Sequence, residues 1–335
     1  GIMTLLTVLF SPTLAQQTGT IEYIFNSTTD TIPSMSEDGR YITFVSYYYI
    51  TFADHNNKDD VFIYDSELNS LTQISRGYTG NLTNGHSYHA SISADGRFIS
   101  YTSDATNLVP NDTNSTSDIF VYDRKTAQTN RVSVDSAGMQ SNGKSVYPVI
   151  SGDGRYIAFT SEATNLIPND TNNSRDVFIH DRQTGQTTIV SVTSSGQLAT
   201  GNASTYLDMS RDGRYVAFVT QAQLADVSGL QGYVHDLQTG QTHRITRRYT
   251  DGGAVTGLTG IGSIAISDDG RYVAFASNGK DHAPNDFNNK IDVFVYDRQA
   301  DETRFISERA GVVVNGNSQN VSISGDGSYI LFMSQ

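Results

Sequence analysis

Apolar and polar positions in this chain alternate in short runs, and nowhere do apolar residues recur every three or four positions as an amphipathic helix requires. One stretch shows the pattern in full. Tyr147-Pro-Val-Ile-Ser151 is a short apolar run, followed at once by Asp153-Gly154. Asp-Gly accepts the positive φ angles of a two-residue hairpin turn, so the chain is expected to reverse there. Arg155 to Ser161 returns as a second strand, Asp176 to Asp181 forms a third after a loop, and Thr187 to Val192 forms a fourth beyond the turn Gln183 to Gln186.

This unit occurs six times. Ser-x-Asp-Gly recurs with aspartates at 38, 95, 153, 212, 269 and 326, at intervals of 57, 58, 59, 57 and 57 residues. A fixed period of this size marks a repeated supersecondary unit. Four antiparallel strands per repeat predict an all-β chain folded as a six-bladed β-propeller. Strands such as Tyr-Ile-Ala-Phe (156–159) and Val-Phe-Ile-His (177–180) are apolar on both faces, as a blade held between two neighbours demands. The last repeat ends at Gln335 after its second strand, while Gly19 to Phe25 reads like a fourth strand. The expectation is that this N-terminal strand completes the last blade and closes the ring, removing two exposed edges.

The repeat resembles the TolB-type, WD-like propeller family. The likeness rests on Ser-x-Asp-Gly-Arg-Tyr-hydrophobic-Ala-Phe, at Ser151 to Phe159 and Ser267 to Phe275, and on Asp-Val-Phe-hydrophobic-Tyr/His-Asp-Arg, at Asp176 to Arg182 and Asp292 to Arg298. It runs from about Ile21 to Gln335. The resemblance implies the propeller alone. The extra N-terminal domain of TolB has no counterpart in these residues, so its partner, a peptidoglycan-associated lipoprotein, is not carried over.

Residues 17–335 are read as a single propeller domain. Residues 1–16 have two readings: the remnant of a secretory signal with a cut after Ala15, which is favoured, or a strand of the closing blade at Leu5 to Phe10. The signal places the protein in the periplasm or outside the cell. A net charge of −13 argues against nucleic acid as a partner. No apolar run approaches the ~20 residues of a membrane-spanning helix. The absence of cysteine excludes disulfides and thiolate metal sites.

Three groups of residues are candidates for function. The loop between second and third strands carries Asp-x-Asn-x-x-x-Asp in four blades: Asp54/Asn56/Asp60, Asp112/Asn114/Asp118, Asp170/Asn172/Asp176 and Asp286/Asn288/Asp292. Oxygen ligands at this spacing resemble the start of a calcium loop, and hard Ca²⁺ prefers carboxylate and amide oxygens. The alternative is a loop closed by Asx turns, with the last Asp setting the third strand. Blade four breaks the pattern at Ala225 to Gly229 and is expected to bind no metal. The second group, His89, Tyr147, Tyr206 and Asn320, stands six residues before the hairpin aspartate, with His86, Lys144 and Asn317 three residues earlier. These side chains are expected to crowd the mouth of the central channel and to suit a peptide end, a sugar or a small polar ligand. The third is Tyr47, Tyr48 and Tyr49, replacing Asp104-Ala105-Thr106 of the next blade, in a loop where three tyrosines suit an interface.

Catalytic machinery is not expected. His180 and His235 occupy a slot held by tyrosine in other blades and read as packed residues, and no Gly-x-Ser-x-Gly elbow is present. The leading expectation is a non-enzymatic exported scaffold or accessory subunit of a larger envelope or extracellular complex. A carbohydrate or small-ligand module at the mouth is the alternative, and a lyase or hydrolase at the same place is a third.

Overall fold

The computed structural model describes residues 33–47, 50, 54–221, 224, 229–255, 260–284, 286, 288–309, 312–313 and 316–334. Within them the chain forms, besides a short pairing of Glu308–Arg309 with Val312–Val313, five four-stranded antiparallel sheets, each paired in sequence order, followed by a two-stranded sheet of Ser318–Ile323 and Ile330–Ser334. These are the blades of a six-bladed β-propeller, numbered one to six in chain order. The expected closing strand and the two readings of residues 1–16 lie outside the described residues, as do Tyr48 and Tyr49.

In blade three, Ser145–Ile150, Tyr156–Ser161, Asp176–Asp181 and Gln186–Ile189 follow the strands expected from sequence. The core lies between blades. Val45, Val61 and Ile63 of blade one pack with Ile99, Tyr101 and Phe120 of blade two. Ala158, Val177 and Ile179 of blade three pack with Val216, Phe218 and Tyr233 of blade four.

The hairpin differs from the two-residue turn expected of Asp-Gly. Only the glycine has positive φ, +71° at both Gly39 and Gly154. Four residues separate the bonded pair Ser36 and Tyr41, and the Gly39 N–H donates to Ser36 O at 3.0 Å. Side chains hold the longer reversal: Ser36 Oγ donates to Asp38 Oδ1 at 2.6 Å, and the Arg40 N–H donates to the same oxygen at 3.0 Å. Aspartate thus serves as an acceptor for local backbone rather than as a left-handed residue.

The turn also joins neighbouring blades. A Cβ on Gly154 would lie 2.2 Å from Phe98 Cδ2 of blade two. Arg182 donates to Gly154 O at 2.6 Å, and its guanidinium lies 4.2 Å from the Phe98 ring centroid. Within the blade, Arg155 grips Asp181 with two bonds, of 2.9 and 2.6 Å. The same bidentate geometry joins Arg40 to Asp65, Arg97 to Asp123, Arg214 to Asp236 and Arg271 to Asp297.

A buried serine locks the start of the third strand in blades one, two, three and five. Ser191 Oγ donates to Asp176 Oδ1 at 2.6 Å and accepts from the Val177 N–H at 3.0 Å. Ser75, Ser133 and Ser307 do the same for Asp60, Asp118 and Asp292. Because Ser191→Ala strands two buried polar groups, it is expected to lower stability by about 1–3 kcal/mol in urea unfolding. An unchanged midpoint would contradict this role.

Candidate binding site at the channel mouth

The first strands of successive blades line the axis. Cross-blade bonds tie them together: the Ile92 N–H donates to Ser34 Oγ at 3.3 Å, and the Ile266 N–H donates to Asp208 Oδ2 at 2.9 Å. Burial pushes the Asp208 carboxyl up to about 6, against the two backbone N–H groups it accepts.

At one end of the channel, each first strand begins beside the second-to-third loop of the preceding blade. The Ser87 N–H donates to Asp59 O at 2.7 Å, Ser145 to Ser117 O at 2.9 Å, and Ser318 to Ile291 O at 2.7 Å. The loops and the residues flanking the first strands therefore share one face, as the sequence reading expected.

His89, Tyr147 and Asn320 stand on this face with φ of +53°, +57° and +58°. Each sits at a bulge where the pairing of first and second strands slips. The left-handed conformation costs a residue with a Cβ about 1–2 kcal/mol, so the fold holds these side chains against local preference. Two of them meet. The His89 and Tyr147 rings pack tilted against each other, at 4.1 Å between centroids and 36° between planes. Tyr88 meets His89 edge-on at 4.8 Å and is itself fixed by Asp104 Oδ1 at 2.8 Å. Tyr206 is 39% exposed on the next first strand. His89 Nδ1 is buried and has no hydrogen-bond partner.

Burial pushes the His89 imidazole down to about 4, and the Lys144 charge acts in the same direction. The ring is therefore neutral at physiological pH. Because its folded value lies below the ordinary ~6.5 of histidine, its contribution to stability is complete above pH ~6.5 and is lost as pH falls toward 4. An NMR titration is expected to place the His89 midpoint near 4. A midpoint near the ordinary value would mean that the ring does not pack as described.

Two further residues of this group, His86 and Asn317, are fasteners. His86 Nδ1 lies 2.7 Å from Asp59 Oδ2 and 3.1 Å from the Asp59 N–H. Asn317 Oδ1 accepts the Ile291 N–H at 3.1 Å. Both hold the preceding blade's loop. His180 and His235 are buried against Thr187 Oγ1 at 2.9 Å and Thr242 Oγ1 at 2.8 Å, in the packing role expected for them. Tyr47 is 45% exposed.

In the Asp-x-Asn-x-x-x-Asp loops the asparagine closes the turn. Asn56, Asn114 and Asn172 donate Nδ2 to Asp60, Asp118 and Asp176 at 2.9, 3.0 and 2.8 Å. Their Oδ1 atoms accept from Lys58, Thr116 and Ser174 N–H two residues on. Asn288 Oδ1 accepts in the same way from Lys290. The amides thus form the Asx turns of the alternative reading, with their oxygens already occupied. Among the described residues no three His, Cys, Asp or Glu side chains converge as a metal cluster. Blade four's residues 225–228 lie outside the description, but its third strand begins with Gln231 where other blades carry Asp.

The opposite end of the channel was not legible as a site, because the residue at this position varies among Glu37, Ala94, Gly152, Arg211, Asp268 and Gly325. The residues before the hairpin aspartates bond from blade to blade: Glu37 N–H donates to Ala94 O, Ala94 to Gly152 O, and Gly152 to Arg211 O, at 3.0, 2.9 and 2.8 Å. Arg211 of blade four bonds Glu37 of blade one and reaches Asp268 of blade five at 3.3 Å. It bridges a cavity of ≈ 700 Å³ lined also by Asp95, Asp153 and Asp212.

No family model matches the chain. No curated protein matches it either. Solved structures do. A putative TolB from Agrobacterium tumefaciens is 15% identical, with 94% of each chain covered and a TM-score of 0.51. The β-propeller domain of the Trilobed protease from Pyrococcus furiosus is 12% identical, with 91% of this chain and 77% of that one covered and a TM-score of 0.55. TolB from Acinetobacter baumannii is 17% identical over 85% of this chain, which spans 56% of that protein's length, with a TM-score of 0.50. The structural neighbours of this chain are thus TolB-type and other β-propeller proteins, and what it shares with them is the β-propeller fold.

Proposed function

We propose that this chain is an exported, non-enzymatic propeller that binds another protein through its loop-rich face, as a scaffold or accessory subunit of a larger envelope or extracellular complex. The observation carrying this reading is the tilted His89–Tyr147 ring pair, 4.1 Å between centroids, held at the mouth on positive-φ backbone. Rigid aromatic side chains supply large contact area at little entropic cost, which is what interface anchors require. Tyr206 and Tyr47, both more than a third exposed, extend the same aromatic character over neighbouring parts of the propeller. Among the described residues that line the cavity at the opposite end, bridged by Arg211, none is aromatic.

Among the described residues no helix is long and apolar enough to cross a membrane, which is compatible with export. The structural resemblance to TolB structures supports a propeller platform and names no partner. Histidines that could have suggested acid–base chemistry have structural employment: His86 fastens a loop, and His282 is packed between Phe275 and Phe294.

The test is affinity isolation of the full chain from extract of its source. Wild type is expected to retain a partner that the His89→Asn/Tyr147→Asn variant loses. Equal retention by both would refute the assignment of the mouth. A second reading, a carbohydrate or small polar ligand at the same mouth, is favoured by the unpartnered buried Nδ1 of His89 beside the rings. Binding on a glycan panel that the same variant abolishes would select it.

A further inference from the structure

Among the described residues, the buried carboxylates of the second-to-third loops come in pairs, and only the pair of blade two is provided with an arginine and a glutamine. The last aspartate of each second-to-third loop, Asp60, Asp118, Asp176 or Asp292, is fully buried. The first aspartate of the same loop is almost as deep: Asp54 is 3% exposed, Asp170 9% and Asp286 4%. Two carboxylates taken from water into one loop require a cation or several donors, since buried charges are paired or bind metal.

Blade two contains that provision. Arg131 NH1 lies 3.5 Å from Asp112 Oδ1 and 3.8 Å from Asp118 Oδ2. Gln140 Nε2 donates to both carboxylates, at 2.8 and 2.9 Å. Every carboxylate oxygen of this pair is satisfied or exposed.

The other blades replace these two side chains. The position of Arg131 is Gln73 in blade one, Ile189 in blade three and Phe305 in blade five, and the position of Gln140 is Leu82 in blade one and Leu198 in blade three. In those three blades, and not in blade two, a buried carboxylate oxygen of the first aspartate is left with no hydrogen-bond partner: Asp54 Oδ2, Asp170 Oδ1 and Asp286 Oδ1. Asp286 also lines a cavity of ≈ 280 Å³ with Lys280, Pro284 and Asn289, which gives blade five room for an ion and its waters. Blade four has the neutral pair Thr246 and Gln231 instead, bonded at 2.5 Å, and needs nothing.

We infer that the loops of blades one, three and five each hold a divalent cation of the calcium type between their two aspartates, and that in blade two the Arg131 guanidinium takes the cation's place. An all-oxygen donor set of two carboxylates, completed by backbone carbonyls and water, suits hard Ca²⁺ rather than a soft transition metal. The ion would tie the loop to the third strand at the rim of the binding face, and three such ties alternate around the ring.

Calcium chloride titrated calorimetrically into the chelator-treated full chain tests this. About three equivalents are expected, with a rise of several degrees in the melting temperature at saturation. Asp54→Asn/Asp170→Asn/Asp286→Asn is expected to bind none, and to melt without calcium no lower than wild type, because the orphaned charges are gone. Ile189→Arg/Leu198→Gln, which builds blade two's provision into blade three, is expected to remove one equivalent. Absence of binding to wild type at millimolar calcium would overturn the inference. So would binding undiminished in the triple variant, or an Ile189→Arg/Leu198→Gln protein that folds and keeps all its equivalents.

Discussion

Gly154→Ala is expected to destabilise the chain by about 2–5 kcal/mol, whereas Gly185→Ala should cost only about 1–2 kcal/mol. The two glycines have nearly equal backbones, with φ of +71° and +75°. Alanine at either site bears the same left-handed strain. Their surroundings differ: the new Cβ meets the Phe98 ring at 2.2 Å in one case and finds nothing within 4 Å in the other. The difference between the two urea-unfolding free energies therefore isolates the contact between blades two and three. Equal losses would show that the hairpin glycine serves its own turn only. The same arrangement recurs at Gly96 on Tyr41, Gly213 on Tyr156 and Gly270 on Tyr215, so the repeat motif records a joint between blades as much as a turn within one.

His89→Asn/Tyr147→Asn is expected to weaken partner binding by about 100-fold or more, since loss of two central aromatic anchors removes a few kcal/mol. Asparagine is the informative replacement. It tolerates positive φ, and blade six already carries Asn320 at this position with φ +58°. The melting temperature should therefore fall little or even rise, while binding is lost. Parallel loss of stability and binding would instead mark the pair as core. Turnover of any substrate that survives removal of His86, His89 and Lys144 would likewise displace the mouth as a reactive centre.

The blades were legible because their chemistry repeats. Ser-x-Asp-Gly, the paired apolar faces and the Asp-Arg end of the third strand mark strand boundaries without any tertiary information. What the motif did not disclose was the form of the turn, four residues with positive φ at glycine alone, because the deciding bonds run from Ser36 and Asp38 side chains to backbone. At the mouth, position alone brought His89 beside Tyr147, but their bulged backbone depends on strand pairing that composition does not reveal. The acidic loops were visible as a pattern of four. Their division into satisfied and unsatisfied pairs depends on Arg131 and Gln140, which lie in other segments and share no motif with the aspartates. The Arg211 bridge was hidden for the opposite reason, since only one blade carries it.

Hydrogen–deuterium exchange on the isolated complex, compared with the free chain, tests the central claim most directly. Protection is expected in peptides spanning His86 to Ala90, Lys144 to Pro148 and the segment around Tyr206, with little change at Glu37, Arg211 and Asp268. Protection confined to the Arg211 end, or to the outer strands of the blades, would contradict binding through the loop-rich mouth.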